Sequence, residues 1–452
     1  LHGTCLMITL NNKISNGMKI GIVGAGFTGL SAAYYLLESG HSVTLFEKDA
    51  YSGGLAIGFK PARHGKQGVA GGEKGWDWTL EKHYHHWFTN DKFILSLAKE
   101  IGHEVLIKRP KTSVYIDSKI YQFDSPKEVL LFPKLSIIDR LRMGVIVGLL
   151  RYNPIWKPLE KINATTFLPK MMGKKSYKMI WEPLFHNKFG PYASDVSLAW
   201  FWARIAKRTP SLAYPEGGFL NFANHLVKVI EKKGGVVNFN TEVLEVREEE
   251  KVIVRTRNKR YEFDKVIFTL PSFLFLKIAP QLPDSYKNKF AKLKGLGATN
   301  LVLRLSKPFF NDGTYWLNVC DPSSPIMAIV EHTNFMDKKN YNNEHLVYLG
   351  NYLPADSKRF SMNEDEVLKL FDPFLKKISP NYNKHLIDYE RFKVPFAQPV
   401  IPTNYSKMIP PFETPIPNVY LANIEQVYPW DRGTNYAVEL GEKITDYILN
   451  ED

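Results

Sequence analysis

Ile20, Ile22 and Val23 form a short apolar strand, after which the period changes and Leu30, Ala33, Tyr34 and Leu37 recur at helical spacing. Gly40 follows as a helix stop, and Val43, Leu45 and Phe46 resume as a strand. Strand, helix and strand in so short a space predict a βαβ unit with parallel strands, and so an α/β fold of the Rossmann type. Further on, Leu301, Leu303 and Leu305 alternate as one face of a strand, while Ala437, Leu440 and Ile444 mark the apolar side of a late helix. Between Leu135 and Trp156, a patch of Leu141, Val145, Ile146, Leu149 and Leu150 stands beside Arg140, Arg142 and Arg151. Its uncharged core is shorter than the roughly 20 apolar residues that a bilayer span needs. Two readings stay open there: a helix buried in a core, or a monotopic patch that dips into one leaflet and admits a lipid-like substrate.

Gly24, Gly26 and Gly29 fall between the first strand and its helix in G-x-G-x-x-G spacing. The first Gly permits the sharp turn, the second lets backbone N–H groups approach a pyrophosphate, and the third lets the helix pack closely on the strand. Phosphate charge then sits at the helix N-terminus, beside Phe27 and Thr28. Glu47, next to Lys48 at the end of the second strand, lies close to the roughly 20-residue spacing of the acid that binds ribose hydroxyls. An acid at that point disfavours a 2′-phosphate, so the expectation is a dinucleotide other than NADP.

Gly53, Gly54 and Leu55 resemble the second diphosphate-contacting turn of the amine oxidase, protoporphyrinogen oxidase and phytoene desaturase superfamily, nearest its protoporphyrinogen oxidase-like branch. The resemblance continues through Asn238 to Val243, where the Val243 backbone is expected at the adenine, Lys265 to Pro271, and Val419 to Ile448. Asn187 to Ile205 and Glu216-Gly217-Gly218 resemble the family's domain crossings. It implies FAD, held without a covalent link because the C-terminal Cys used for attachment in some relatives is missing. It also implies a flavin domain assembled from 18–92, 212–272 and 400–452, with an α+β substrate domain, 93–211 and 273–399, inserted between the pieces. In this fold Arg432, Gly433, Thr434, Asn435 and Tyr436 open the helix that faces the flavin ring, and Tyr436 is a catalytic candidate. Most relatives carry an acid near Asn423, a role that would pass to Asp431. Asn300 or Leu301 stands where amine oxidases carry a Lys, which weighs against amine oxidation.

His83, His85 and His86 lie in a segment similar to one in flavin-dependent UDP-galactopyranose mutases. The resemblance makes His85 a catalytic candidate and His86 and Trp87 cleft-lining residues; no H-E-x-x-H spacing or Cys partner suggests a metal. In the strand-like region around Trp316 and Glu331 to Asn334, alternation would put Glu331 and Thr333 on one face and His332 and Asn334 on the other. Glu331 and His332 are then acid–base candidates, and Trp316, Asn334 and Arg204 substrate-binding ones.

At 452 residues and 44% apolar, the chain can bury two cores. Its net charge of +13 is spread over short runs with no recognisable nucleic-acid module, so an anionic small substrate or membrane surface suits it better than nucleic acid. Cys5 and Cys320 lack C-x-x-C spacing, which fits a reducing cytoplasm, and no export signal is read. Residues 1–17 are patternless and read as a disordered or misassigned extension before Met18. Three functions follow: an FAD-dependent oxidoreductase taking hydride from an unidentified small or lipid-like substrate; a redox-neutral sugar mutase with Arg432 or Arg204 on a diphosphate; and a non-catalytic Rab escort-like carrier. The intact Gly24, Gly26, Gly29 and Glu47 set argues against the carrier.

Overall fold

The computed structural model describes residues 17–61 and 75–451. Residues 1–16, nearly all of the expected extension, and Cys5 lie outside the described residues.

The predicted βαβ unit forms, with strands Lys19–Val23 and Ser42–Phe46 parallel around helix Phe27–Glu38. Gly40 takes φ +84°, a left-handed conformation that ends the helix as expected. The helix is buried more widely than one stripe, with Phe27, Ala32 and Leu36 joining the predicted face. The cause is packing on several sides: the sheet below, helix Phe219–Lys232, and the closing helix Thr434–Leu449. A Cβ on Gly441 of the closing helix would fall 2.0 Å from Ser31 Oγ, so the two helices meet at a distance that admits no side chain there.

The sheet has five parallel strands in the order Val236–Asn238, Ser42–Phe46, Lys19–Val23, Lys265–Phe268, Val419–Leu421. Three distant stretches of chain therefore build one surface. A three-stranded antiparallel sheet spanning Val243–Phe263 leads into the fourth strand. The larger second sheet has seven strands, with the long strand Gly295–Leu305 between Leu386–Pro399 and His345–Leu353. Its pairs are antiparallel except where Thr314–Val319 meets Lys111–Ile116. A helical layer from residue 126 to 206 covers part of it.

Helix Ile137–Tyr152 carries two apolar faces. Met143, Ile146 and Leu150 are buried, while Ile138, Leu141, Val145, Leu149 and Tyr152 form a second apolar face that is exposed. Among the described residues no helix is long and apolar enough to cross a membrane.

Candidate functional site

The glycine turn is built as its spacing requires. Gly24 has φ +108°, and a Cβ on Gly29 would come within 2.0 Å of the Gly24 carbonyl oxygen. At Gly26 the added Cβ would meet nothing closer than Gly54 Cα at 3.9 Å, so the protein leaves this position open. Gly26 is the N-cap of the helix and offers no side chain to it, leaving first-turn N–H groups free for an anionic ligand. The second Gly turn lies directly on the first: Gly53 N–H donates to the Ala25 carbonyl at 2.9 Å, and Gly53 and Gly54 take φ +112° and +57°.

Glu47 is buried beside this turn. One carboxylate oxygen accepts from Ala25 N–H at 2.9 Å and the other from Asp49 N–H at 3.0 Å. Each oxygen keeps a lone pair for further donors. The Thr241 N–H donates to the Glu47 carbonyl at 2.8 Å, which brings the segment leading to Val243 alongside. Lys48 is exposed. This arrangement fits FAD: a side-chain-free pyrophosphate cradle, unpaired helix N–H groups and a buried carboxylate at ribose distance along the chain.

A cavity opens on the seven-stranded sheet, against the histidine segment and Arg432, lined by Leu55, His83, Tyr84, His85, Ala298, Asn300, Asn351, Tyr352, Ala397 and Arg432. Asn300 Nδ2 lies 2.6 Å from His83 Nδ1, yet its Oδ1 has no partner, and neither has Nδ2 of Asn351. Both side chains are buried, and an unpaired buried amide atom calls for a ligand or water. His85 Nδ1 is 2.6 Å from the His83 carbonyl, which can only accept, so Nδ1 carries the proton and Nε2 keeps a lone pair. Burial, with Arg432 adding, lowers the His85 pKa to about 4, and burial lowers those of His83 and His86 to about 3. All three are neutral at pH 7.

Cations gather beside the cavity. Lys188 Nζ and the Arg432 guanidinium each sit 5.0 Å from the Tyr352 ring centre, and Arg432 also bonds the Tyr352 hydroxyl and, at 3.1 Å, Gln398 Oε1. Arg204 pairs with Asp431, and Lys188 Nζ is 3.9 Å from the same carboxylate. Burial, with Arg204 and Arg432 adding, drives the Lys188 ammonium well below its usual pKa against the pull of Asp431. Burial would raise the Asp431 carboxyl, but Lys188 and Arg204 outweigh it and hold it low. None of Lys188, Asn300 and Asn351 was picked out as a binding residue from sequence; only Asn300 carried a signal, as the residue in place of the family Lys.

Several expected site residues are placed elsewhere. The strand ends at Glu331, and His332–Asn334 is a helical turn, with Phe335 and Met336 N–H groups donating to the His332 carbonyl at 2.9 Å each. The strand alternation expected across Glu331 to Asn334 therefore fails. Glu331 is buried and accepts from Phe309 N–H at 3.1 Å and Phe310 N–H at 2.8 Å. Asn334 donates to the Thr314 carbonyl and to Glu331, and His332 bonds the Tyr341 hydroxyl at 2.8 Å. All three hold this loop rather than line the cavity. Trp87 is wholly buried between Phe219 and Phe222 and donates to Thr434 Oγ1 at 2.7 Å, so it orients the closing helix rather than the substrate. Asn435 Oδ1 caps the helix Lys92–Glu100 through Phe93 and Ile94 N–H groups. Asn423 spends its amide on Leu270, Ser272 and Glu425, and Asp431 is committed to Arg204, Trp200 and Lys188, so neither carboxamide nor carboxylate is free for a ribityl chain. Tyr436 stacks on Trp430, His86 lies 3.1 Å from the Tyr315 hydroxyl, and Trp316 meets Tyr84 edge-on at 4.8 Å behind the cavity wall.

Glu81 went unnoticed in the sequence. It is fully buried, accepts from Tyr214 and from Phe219 N–H, and burial raises its pKa to about 7. Its only sequence signal is an acid set between Leu80 and the histidine run.

The family model described as flavin containing amine oxidoreductase matches residues 27–425. Curated relatives match locally: a 4,4'-diapophytoene desaturase of Staphylococcus haemolyticus is 54% identical over 43 residues, 10% of this chain and 9% of that protein. The chain thus spans a tenth or less of the length of the curated relatives it matches. An oxidoreductase of Methanosarcina mazei superposes with a TM-score of 0.72 at 18% identity, covering 95% of this chain and 100% of its own. A reduced UDP-galactopyranose mutase gives a TM-score of 0.74 at 14% identity, covering 96% and 94%. At such identities these structures establish a shared fold.

Proposed function

The chain belongs to the flavin containing amine oxidoreductase family; from that premise we propose that it is an FAD-dependent oxidoreductase that takes hydride from a saturated C–C, C–N or C–O centre of a small or lipid-like substrate that carries an anionic group. The observation behind this reading is the cavity beside the two Gly turns, where Asn300 Oδ1 is buried without a partner. Gly24, Gly26, the first helical turn and Glu47 would hold pyrophosphate and ribose, without a covalent link, and Gly53 to Leu55 and Thr434 would lie toward the ring. When bound, FAD supplies the two-electron acceptor. His85 Nε2, neutral and unpaired, accepts a hydrogen bond from substrate. The closing helix starts at Gly433 without a side-chain cap, and its positive end favours negative charge in the cleft.

The charge of the cleft bears on the substrate. Arg204, paired with Asp431, and Arg432, held by Tyr352 and Gln398, leave the cleft with more positive than negative charge even though burial weakens the Lys188 ammonium, so the cleft repels a protonated amine and attracts an oxyanion. The same cluster favours a second reading, redox-neutral chemistry on a diphosphate-bearing sugar nucleotide, since guanidinium groups bind phosphates bidentately. Peripheral membrane contact through residues 135–156 is part of the proposal. The test begins with an absorbance spectrum before and after denaturation, where released FAD is expected and its absence would end the cofactor reading. Substrate conversion is then followed with an electron acceptor present: acceptor consumed in step with product supports hydride removal, and product without consumption selects the mutase reading.

A further inference from the structure

Of fifteen large apolar side chains exposed among the described residues, nine lie between Leu130 and Ile155. On helix Ile137–Tyr152 they fall at 137, 138, 141, 145, 149 and 152, the last five spaced so as to share one face, and Ile138 and Tyr152 are 73% and 81% exposed. The opposite face, Met143, Ile146 and Leu150, is already buried in the protein. Leu130 and Leu131, at the end of the short helix before it, and Ile155, just after it, extend the exposed surface at both ends. Contiguous apolar surface of this kind on a folded chain marks a contact with something outside it.

Charge identifies what that is. Residues 126–178 hold eleven Lys and Arg against three Asp and Glu, while the whole chain holds 59 against 46. Most of the positive excess of the protein therefore surrounds one helix. Lys127, Lys157, Lys161, Lys170, Lys174 and Lys175 are exposed around it. A second copy of the chain would bring like charges together, and residues 1–16 contain no Asp or Glu to complement them. An anionic bilayer offers both an apolar interior and negative headgroups. The helix is not long or apolar enough to cross it, so it lies in the interface.

The end of this helix adjoins the cationic cleft. Arg151 donates to the carbonyls of Ile205 and Arg208 at 3.2 and 3.0 Å, Trp202 donates to the Asn153 carbonyl at 2.9 Å, and Trp156 meets Tyr428 edge-on. These partners flank Arg204, Asp431 and Arg432.

We propose that the exposed face of helix Ile137–Tyr152, ringed by lysines, docks the protein on the surface of an anionic lipid bilayer beside the substrate cleft. This deepens the functional reading by naming the surface from which an amphiphilic substrate would enter.

The test is co-sedimentation of the purified flavoprotein with phosphatidylglycerol-containing vesicles and with pure phosphatidylcholine vesicles. Binding to the anionic vesicles that weakens with salt is expected. The double variant Val145→Asp, Leu149→Asp should lose about a hundredfold in affinity, from removing two inserted side chains. Leu370→Asp, exposed on another helix, should bind as wild type. Wild-type protein that stays in the supernatant overturns the proposal, as does a double variant that pellets equally. A wild-type dimer in light scattering that the double variant loses would assign the face to a second copy and also overturn it. Flavin content is read on the same samples; its loss would count against the cofactor reading without moving the vesicle result.

Discussion

Gly26 and Gly29 separate cofactor binding from folding. At Gly26 the backbone has φ −72° and ψ 172°, open to any residue, and an added Cβ meets only Gly54 Cα at 3.9 Å. In Gly26→Ala, the entropy lost from the unfolded chain stabilises by about 0.4–1 kcal/mol, and the poorer N-cap costs about as much, so apoprotein stability should move by less than about 1 kcal/mol. The methyl nevertheless stands where phosphate oxygens must reach backbone N–H groups. Losing two hydrogen bonds to a charged group costs about 3–6 kcal/mol, or roughly a hundredfold to ten-thousandfold in FAD affinity. Gly29→Ala behaves differently. Its Cβ would lie 2.0 Å from the Gly24 carbonyl oxygen and 3.2 Å from its carbon, a backbone clash that only displacing helix from strand relieves. Overpacking of this kind costs about 1–3 kcal/mol or more, so stability and flavin should fall together. Flavin absorbance of the purified variants and urea unfolding of their flavin-stripped forms measure the two quantities separately. A Gly26→Ala protein with full flavin content, or one whose stripped form unfolds as early as Gly29→Ala, would refute the assignment.

Three further outcomes are expected. Glu47→Gln should weaken FAD by about 1.5–3 kcal/mol through loss of charged ribose bonds, and unchanged affinity in a flavin titration would place the adenosine elsewhere. His85→Phe, at the cavity wall, should slow flavin reduction in rapid mixing with a working substrate while flavin content holds; Tyr436→Phe, stacked on Trp430, should change neither. Glu81, with its pKa raised from 4.5 to about 7, holds a proton in the folded protein that the unfolded chain releases above its ordinary pKa, so stability falls as pH rises between those values, by about 3 kcal/mol in all. Glu81→Gln should therefore gain on wild type in denaturant unfolding from pH 5 to pH 8, and a constant offset would show that the carboxyl does not titrate there.

What could be read from the chain was local or periodic. The first βαβ unit, the stop at Gly40 and the acid at Glu47 depend on residues close together in sequence, and each sits where its spacing placed it. The helix at Ile137–Tyr152 carried two interleaved apolar stripes, and the reading of a helix buried in a core describes one of them. Failures came where a polar residue's task is set by distant chain. Asn435 caps a helix more than three hundred residues earlier, Asn423 ties down the Leu270–Ser272 turn, and Glu331 satisfies the backbone of Phe309 and Phe310. Each is a polar group inside the protein, and burial obliges such groups to find partners whether or not a ligand exists. Polarity in an apolar context therefore does not separate a site from a strut. An unpaired atom at a cavity wall does: Asn300 Oδ1 has no partner, on the strand face where its neighbour across the pairing, Gly350, brings no side chain. Which atom is left without a partner depends on strand pairing, which no local pattern encodes, and so the residue with the strongest claim on a ligand carried only the signal of standing where relatives have a Lys.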